Sequence, residues 1–176
     1  MDYHLKMTDA THLIINGLPY RKITPEEYKK TITEAINVKL QELDFGLAIA
    51  DQYESIRENY ITLVDQLNNG EISWYYFVNT IDDARSERIG LLSQARELQN
   101  SSYDPNLHEH LVKALTYAVN YCEACYFAGD SYSEYMQESY LNDASNYVTL
   151  LQKSMDNYRK TIKKEQEKLV QGLPKD

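Results

Sequence analysis

Cys122-Glu123-Ala124-Cys125 is the stretch whose residue types and spacing come nearest to a known chemistry, because a CxxC pair serves thiol redox exchange or half of a metal site. A redox pair usually sets its first thiol at a helix N-terminus, where the dipole favours the thiolate. Here both cysteines fall on an apolar line, Leu107, Leu111, Leu115, Ala118, Cys122 and Cys125, about five turns into a helix opened by Asp104-Pro105. They are expected as buried core residues. His108 and His110 are the nearest further ligands. Two residues apart means about 200° around a helix, so the two rings cannot share an ion from one helix, and His108 lies about 21 Å from Cys122 along the axis. No glutamate has a histidine three residues on, and the chain contains no Gly-x-Ser-x-Gly, no phosphate-cradling glycine loop and no His-Glu-x-x-His. The sequence therefore predicts no catalytic residue, no metal and no cofactor.

Tyrosine is the unusual residue, 16 against three phenylalanines and one tryptophan. A ring with a hydroxyl suits half-wet surfaces better than dry cores. Tyr117 and Tyr121 flank the apolar line of the third helix, Tyr140 and Tyr147 flank that of the fourth, and Tyr126, Tyr132 and Tyr135 crowd the turn between them. In a hairpin there, Tyr121 and Tyr140 come to the same level. Acidic residues surround them. From Glu97 to Asp143 the acids are Glu97, Asp104, Glu109, Glu123, Asp130, Glu134, Glu138 and Asp143, against Lys113 alone. Tyr117, Tyr121, Glu123, Tyr132, Tyr135, Glu138, Tyr140 and Tyr147 are accordingly the candidate partner-binding residues, suited to a basic protein through cation-π contacts and aromatic anchors. Trp74-Tyr75-Tyr76-Phe77 reads as core closing the same end. Asp82, Asp83, Arg85, Glu87 and Arg88 read as surface charges in mutual pairs.

The whole chain carries a net charge of −9, which opposes nucleic acid as the main partner, since phosphate contacts need a basic surface. After Ala144 the sign reverses, with seven lysines and arginines against four acids. No apolar run approaches the roughly 20 residues that span a bilayer, and no leader with a basic and then an apolar region precedes Thr24, so the expected location is the cytoplasm.

The elements that position these residues follow from the apolar period. Leu141, Ala144, Val148, Leu151, Met155, Tyr158, Ile162 and Leu169 alternate spacings of three and four, interrupted at Glu165, which is a heptad seam inside a helix expected over residues 131–171. Thr24-Pro25-Glu26-Glu27 starts another, with Thr24 as cap, that runs through Tyr28, Ile32, Ile36, Leu40, Leu43, Leu47, Ala50, Tyr53, Ile56, Tyr60, Leu63 and Leu67 to Asn68-Asn69-Gly70. Gly46 offers a kink point within it. Helices over about 25–69, 73–99, 105–128 and 131–171 joined by short connections predict an all-α, elongated, antiparallel up-down four-helix bundle with two long helices, the first and fourth. Residues 1–23 read as a non-helical segment, with a hairpin turn at Asn16-Gly17, and residues 172–176 as a tail.

The surplus length of the two long helices leaves an apolar face to cover, either by Leu13, Ile14, Ile15 and Leu18 or by a second chain in a two-fold homodimer. The pattern resembles many small helical-bundle proteins of bacteria and their phages, a likeness of style that implies no activity. The function expected is that of a non-enzymatic protein-binding bundle, a regulator, immunity-type or antagonist protein. The alternative is a small-molecule sensor or carrier with tyrosines lining a pocket between helices, and a third reading is a metal-dependent enzyme using His108 or His110 with a cysteine and carboxylates from other helices.

Overall fold

The chain folds as a bundle of four helices in which the capping residues set the element limits. A computed structural model describes residues 5–7, 12–15, 18–131 and 133–174, with side chains from residue 21 onward. Helix α1 spans Pro25–Asn68, α2 Trp74–Ser101, α3 Glu109–Asp130 and α4 Glu134–Gln171. At the start of α1, Thr24 Oγ1 accepts from Glu27 N at 3.1 Å while Glu27 Oε2 accepts from Thr24 N at 2.9 Å. This reciprocal box satisfies two amide donors that the first turn leaves open. The same bond to the Thr24 amide holds the Glu27 carboxyl below its ordinary pKa, with Arg21 adding to the effect. Gly70, at φ 73°, turns the chain out of α1 in a backbone region that only glycine enters without strain. Ser73 caps α2 by accepting from Tyr76 N at 3.1 Å.

The helix expected over 105–128 is divided in two. Pro105–His108 is a 3₁₀ turn capped by Asp104, and α3 begins at Glu109. α4 begins at Glu134 instead of 131. Ahead of the bundle, β1 (Leu5–Met7), β2 (His12–Ile15) and β3 (Leu18–Arg21) form an antiparallel meander in the order β1-β2-β3. Ile15 pairs with Leu18, a register that agrees with the expected hairpin. Asn16 and Gly17, and the side chains meant to cover the long helices, lie outside the described residues.

Two apolar clusters fill the bundle. One joins Leu43, Ile49, Tyr53, Leu91, Leu98, Leu111, Leu115, Met155, Tyr158 and Ile162, and the other Tyr60, Phe77, Ile81, Ala84, Cys122, Cys125 and Ala144. Tertiary packing alters the expected seams. On α4, Leu141 and Val148 are exposed although they keep the heptad period, while Ser154 is buried. On α1, full burial starts only at Leu43; Ile32, Ile36 and Leu40 of the first half are half-buried, and Tyr28, Val38 and Phe45 are exposed. Gly46 serves a close approach, because a Cβ there would collide with the Tyr158 hydroxyl. Between the long helices, Arg159 Nη1 lies 2.7 Å from Asp51 Oδ1, and Gln166 Nε2 donates to Asp44 Oδ1 at 2.7 Å. Among the described residues no helix is long and apolar enough to cross a membrane.

Candidate functional site

The candidate partner-binding residues divide between two environments. Glu123, Tyr140 and Tyr147 come together between α3 and α4, where with Asp143 and Phe127 they line a groove of about 290 Å³. Phe127 and Tyr140 lie 5.6 Å apart between ring centroids, and Tyr117 stacks on Tyr147 at 6.3 Å. On the far side of Glu123, Asp82, Arg85, Tyr126 and Phe127 line a second hollow of about 250 Å³. Glu123 is already engaged: its Oε1 accepts from Arg85 Nη2 at 2.6 Å and from Nε at 3.1 Å, which ties α3 to α2. Tyr135 and Glu138 stand exposed on the first turns of α4, and Tyr132 lies outside the described residues.

Tyr121 does not join them. Its ring meets Tyr60 edge-on at 5.6 Å and its hydroxyl donates to that of Tyr60 at 3.3 Å, so it turns toward α1 while Tyr140 packs on Phe127. Tyr121 and Tyr140, expected at the same level of the hairpin, leave their helices toward different neighbours. The Trp74–Phe77 cluster is also corrected. Only Phe77 is buried; Trp74, Tyr75 and Tyr76 occupy the first turn after the Ser73 cap and face outward, with Trp74 Nε1 donating to Gly129 O at 3.4 Å. The end of the bundle thereby carries more exposed aromatic surface than the sequence suggested.

Cys122 and Cys125 are free and buried. Burial pushes the Cys122 thiol up to about 11 and raises that of Cys125, opposite to what a nucleophilic or redox thiol requires. His108 is fully buried, with Nδ1 3.2 Å from the Tyr158 hydroxyl and Nε2 3.1 Å from Glu42 Oε1, which also accepts from Ser102. This set fastens the 3₁₀ turn to α1 and α4. Among the described residues no three of histidine, cysteine, aspartate and glutamate gather as a metal site.

Arg88 is the residue that the sequence reading misplaced. It is 1% exposed instead of lying on the surface. Its Nη1 donates to Ala84 O at 2.8 Å, its Nε finds no acceptor, and no carboxylate pairs with it among the described residues. The guanidinium lies over the rings of Tyr53, at 5.8 Å, and Tyr60, at 5.4 Å. Each such contact is worth roughly 0.5–2 kcal/mol, whereas taking the ion out of water costs several. The signal was present. Ile81, Ala84, Arg88, Leu91 and Ala95 keep spacings of three and four, so Arg88 occupies a core position in the period.

A cavity of about 220 Å³ opens beside it, where the two apolar clusters meet. Its walls include Tyr53, Tyr60 and Tyr121, with Arg57, Val148 and Gln152 also contributing. Burial raises the pKa of all three phenols, that of Tyr53 to about 12, so they enter the cavity as neutral O–H groups. The fold and these surfaces define a four-helix protein, preceded by a small three-stranded sheet, with two aromatic recesses. Comparison with family models, with curated proteins and with solved structures finds nothing that matches this chain.

Proposed function

We propose that this chain is a non-enzymatic protein-binding bundle that takes a basic segment of a partner protein on its acidic, aromatic face between α3 and α4. The observation that carries the reading is the groove in which Glu123 and Asp143 stand beside Phe127, Tyr140 and Tyr147. With Glu123 already paired to Arg85, Asp143 is the carboxylate that attracts a lysine or arginine, and the ring faces receive its charge or its aliphatic stem. Exposed Tyr75, Tyr76, Tyr126 and Tyr135 extend the aromatic surface beyond the groove. Nucleic acid is a poor partner for such a face.

An up-down antiparallel course fits the side-chain pairings, since Gly46 approaches Leu98 and Tyr60 meets Phe77. In that arrangement the early half of α1 and the late half of α4 protrude together. Tyr28, Val38, Phe45 and Val170 are exposed there, and a second copy covering them would give a two-fold homodimer. A regulator or antagonist acting in the cytoplasm is the role that agrees with this reading.

The test is affinity capture from host extract at low and high salt, comparing the chain with its Tyr140→Ala/Asp143→Asn variant. The expected result is a stoichiometric partner that high salt releases and that the variant fails to retain while keeping its helix content. Retention by the variant at unchanged strength would place the binding surface elsewhere.

A second reading, a small-molecule-binding bundle, is favoured by one observation, the tyrosine-walled cavity beside a buried arginine that has no counter-ion among the described residues.

A further inference from the structure

We infer that the cavity at Arg88 is a binding site for a small organic carboxylate, an inference that rests on the small-molecule reading and supplies its ligand class. The first argument is charge. The chain is acidic overall, yet the residues lining this cavity include two cations, Arg57 and Arg88, and no carboxylate. Arg57 is paired with Glu54 at 3.2 Å, whereas Arg88 has no anionic partner among the described residues. An arginine buried to this degree is normally neutralised, and the missing charge here is a single negative one.

The second argument is geometry. Nη1 is committed to the Ala84 carbonyl, and the guanidinium carbon lies over the rings of Tyr53 and Tyr60. Nε has no acceptor among the described residues, and the guanidinium as a whole lacks the anion that a carboxylate would supply. The Tyr121 hydroxyl is spent on Tyr60, which leaves the neutral Tyr53 hydroxyl as a further donor on the wall.

The third argument is shape. A cavity of about 220 Å³ is smaller than drug-sized ligands need, and Ile61, Val64, Val148 and Leu151 supply an apolar lining for one ring or a short alkyl chain. Arg57, Val148 and Gln152 also line an open surface groove with Lys153 and Asp156, which gives the cavity a polar approach from solvent. The arrangement selects a monoanion with an apolar body.

Calorimetric titration of the full chain with benzoate, hexanoate, benzamide and benzylamine tests this. Benzoate or hexanoate should bind while the neutral amide and the amine do not, and Arg88→Met should weaken carboxylate binding by at least about tenfold, the loss expected for a charge-assisted hydrogen bond. Val148→Trp, which keeps the guanidinium and fills the mouth, should abolish binding with helix content intact, and it decides the matter where Arg88→Met fails to fold. Benzamide binding as tightly as benzoate would overturn the anion while leaving a ligand cavity. The failure of all four compounds to bind in the millimolar range would overturn both.

Discussion

Nδ1 of His108 lies 3.2 Å from the Tyr158 hydroxyl, in a part of the core where neither ring reaches solvent. The close pass of α1 at Gly46 makes room for this contact, because the Tyr158 oxygen occupies the space that a Cβ would need and His108 Nδ1 would be 3.2 Å from it. A histidine with both nitrogens engaged and a tyrosine with its hydroxyl engaged fix the 3₁₀ turn against two helices at once.

Gly46→Ala should therefore destabilise the chain, although alanine inside a helix ordinarily gains about 1 kcal/mol over glycine. Overpacking against Tyr158 costs about 1–3 kcal/mol. Tyr158→Phe removes the oxygen in the way, so Gly46→Ala should cost less in that background than in the parent. Urea unfolding of the two single variants and the double variant measures the coupling. Additive effects would show that the two residues do not meet.

Alkaline pH should unfold this protein through its buried phenols and thiol. Burial raises Tyr53 from 10.0 to about 12 and Cys122 from 9.0 to about 11, and it raises Tyr60, Tyr121 and Tyr158 as well. Each group is held protonated in the fold and ionises more readily in the unfolded chain. The unfolded state then binds fewer protons, so stability is whole below the unfolded values of 9.0 and 10.0 and falls as pH rises through the folded ones. Phenolate absorbance of these rings and loss of helical circular dichroism should share one transition. Full phenolate absorbance while the helices persist would contradict the burial.

Gly129→Ala should disturb the aromatic end of the bundle. A Cβ at this position would collide with Val78 and would lie 3.2 Å from Trp74 Nε1. Trp74 is the single tryptophan, so its emission reports on this corner alone. The expected outcome is a loss of about 1–3 kcal/mol and a shift in tryptophan emission, both reduced by Val78→Ala. Emission identical to that of the parent would mean that α2 and α3 do not pack in this way.

Much of the secondary structure is written in local chemistry. Thr24-Pro25-Glu26-Glu27 is a capping box readable residue by residue, Asn68-Asn69-Gly70 ends the helix by backbone preference, and Ser73 caps the next. Such signals involve residues three or four apart, and the interactions that settle them lie within one turn. The groove between α3 and α4 was legible in part for the same reason. Glu123, Tyr140 and Tyr147 flank the seams of two consecutive helices, and a short connection brings those seams together.

What the sequence by itself determined was therefore the helices, their caps, the acidic balance and the burial of Cys122 and Cys125. The tertiary structure alone decided which seam positions were left open and which polar residues went inside. Leu141 and Val148 keep the heptad period but stay exposed, while Arg88 keeps it and is enclosed. Periodicity gives the direction in which a side chain leaves its own helix. Whether another helix waits there depends on contacts between residues far apart in the chain, and at Arg88 those contacts are Tyr53 and Tyr60 of α1.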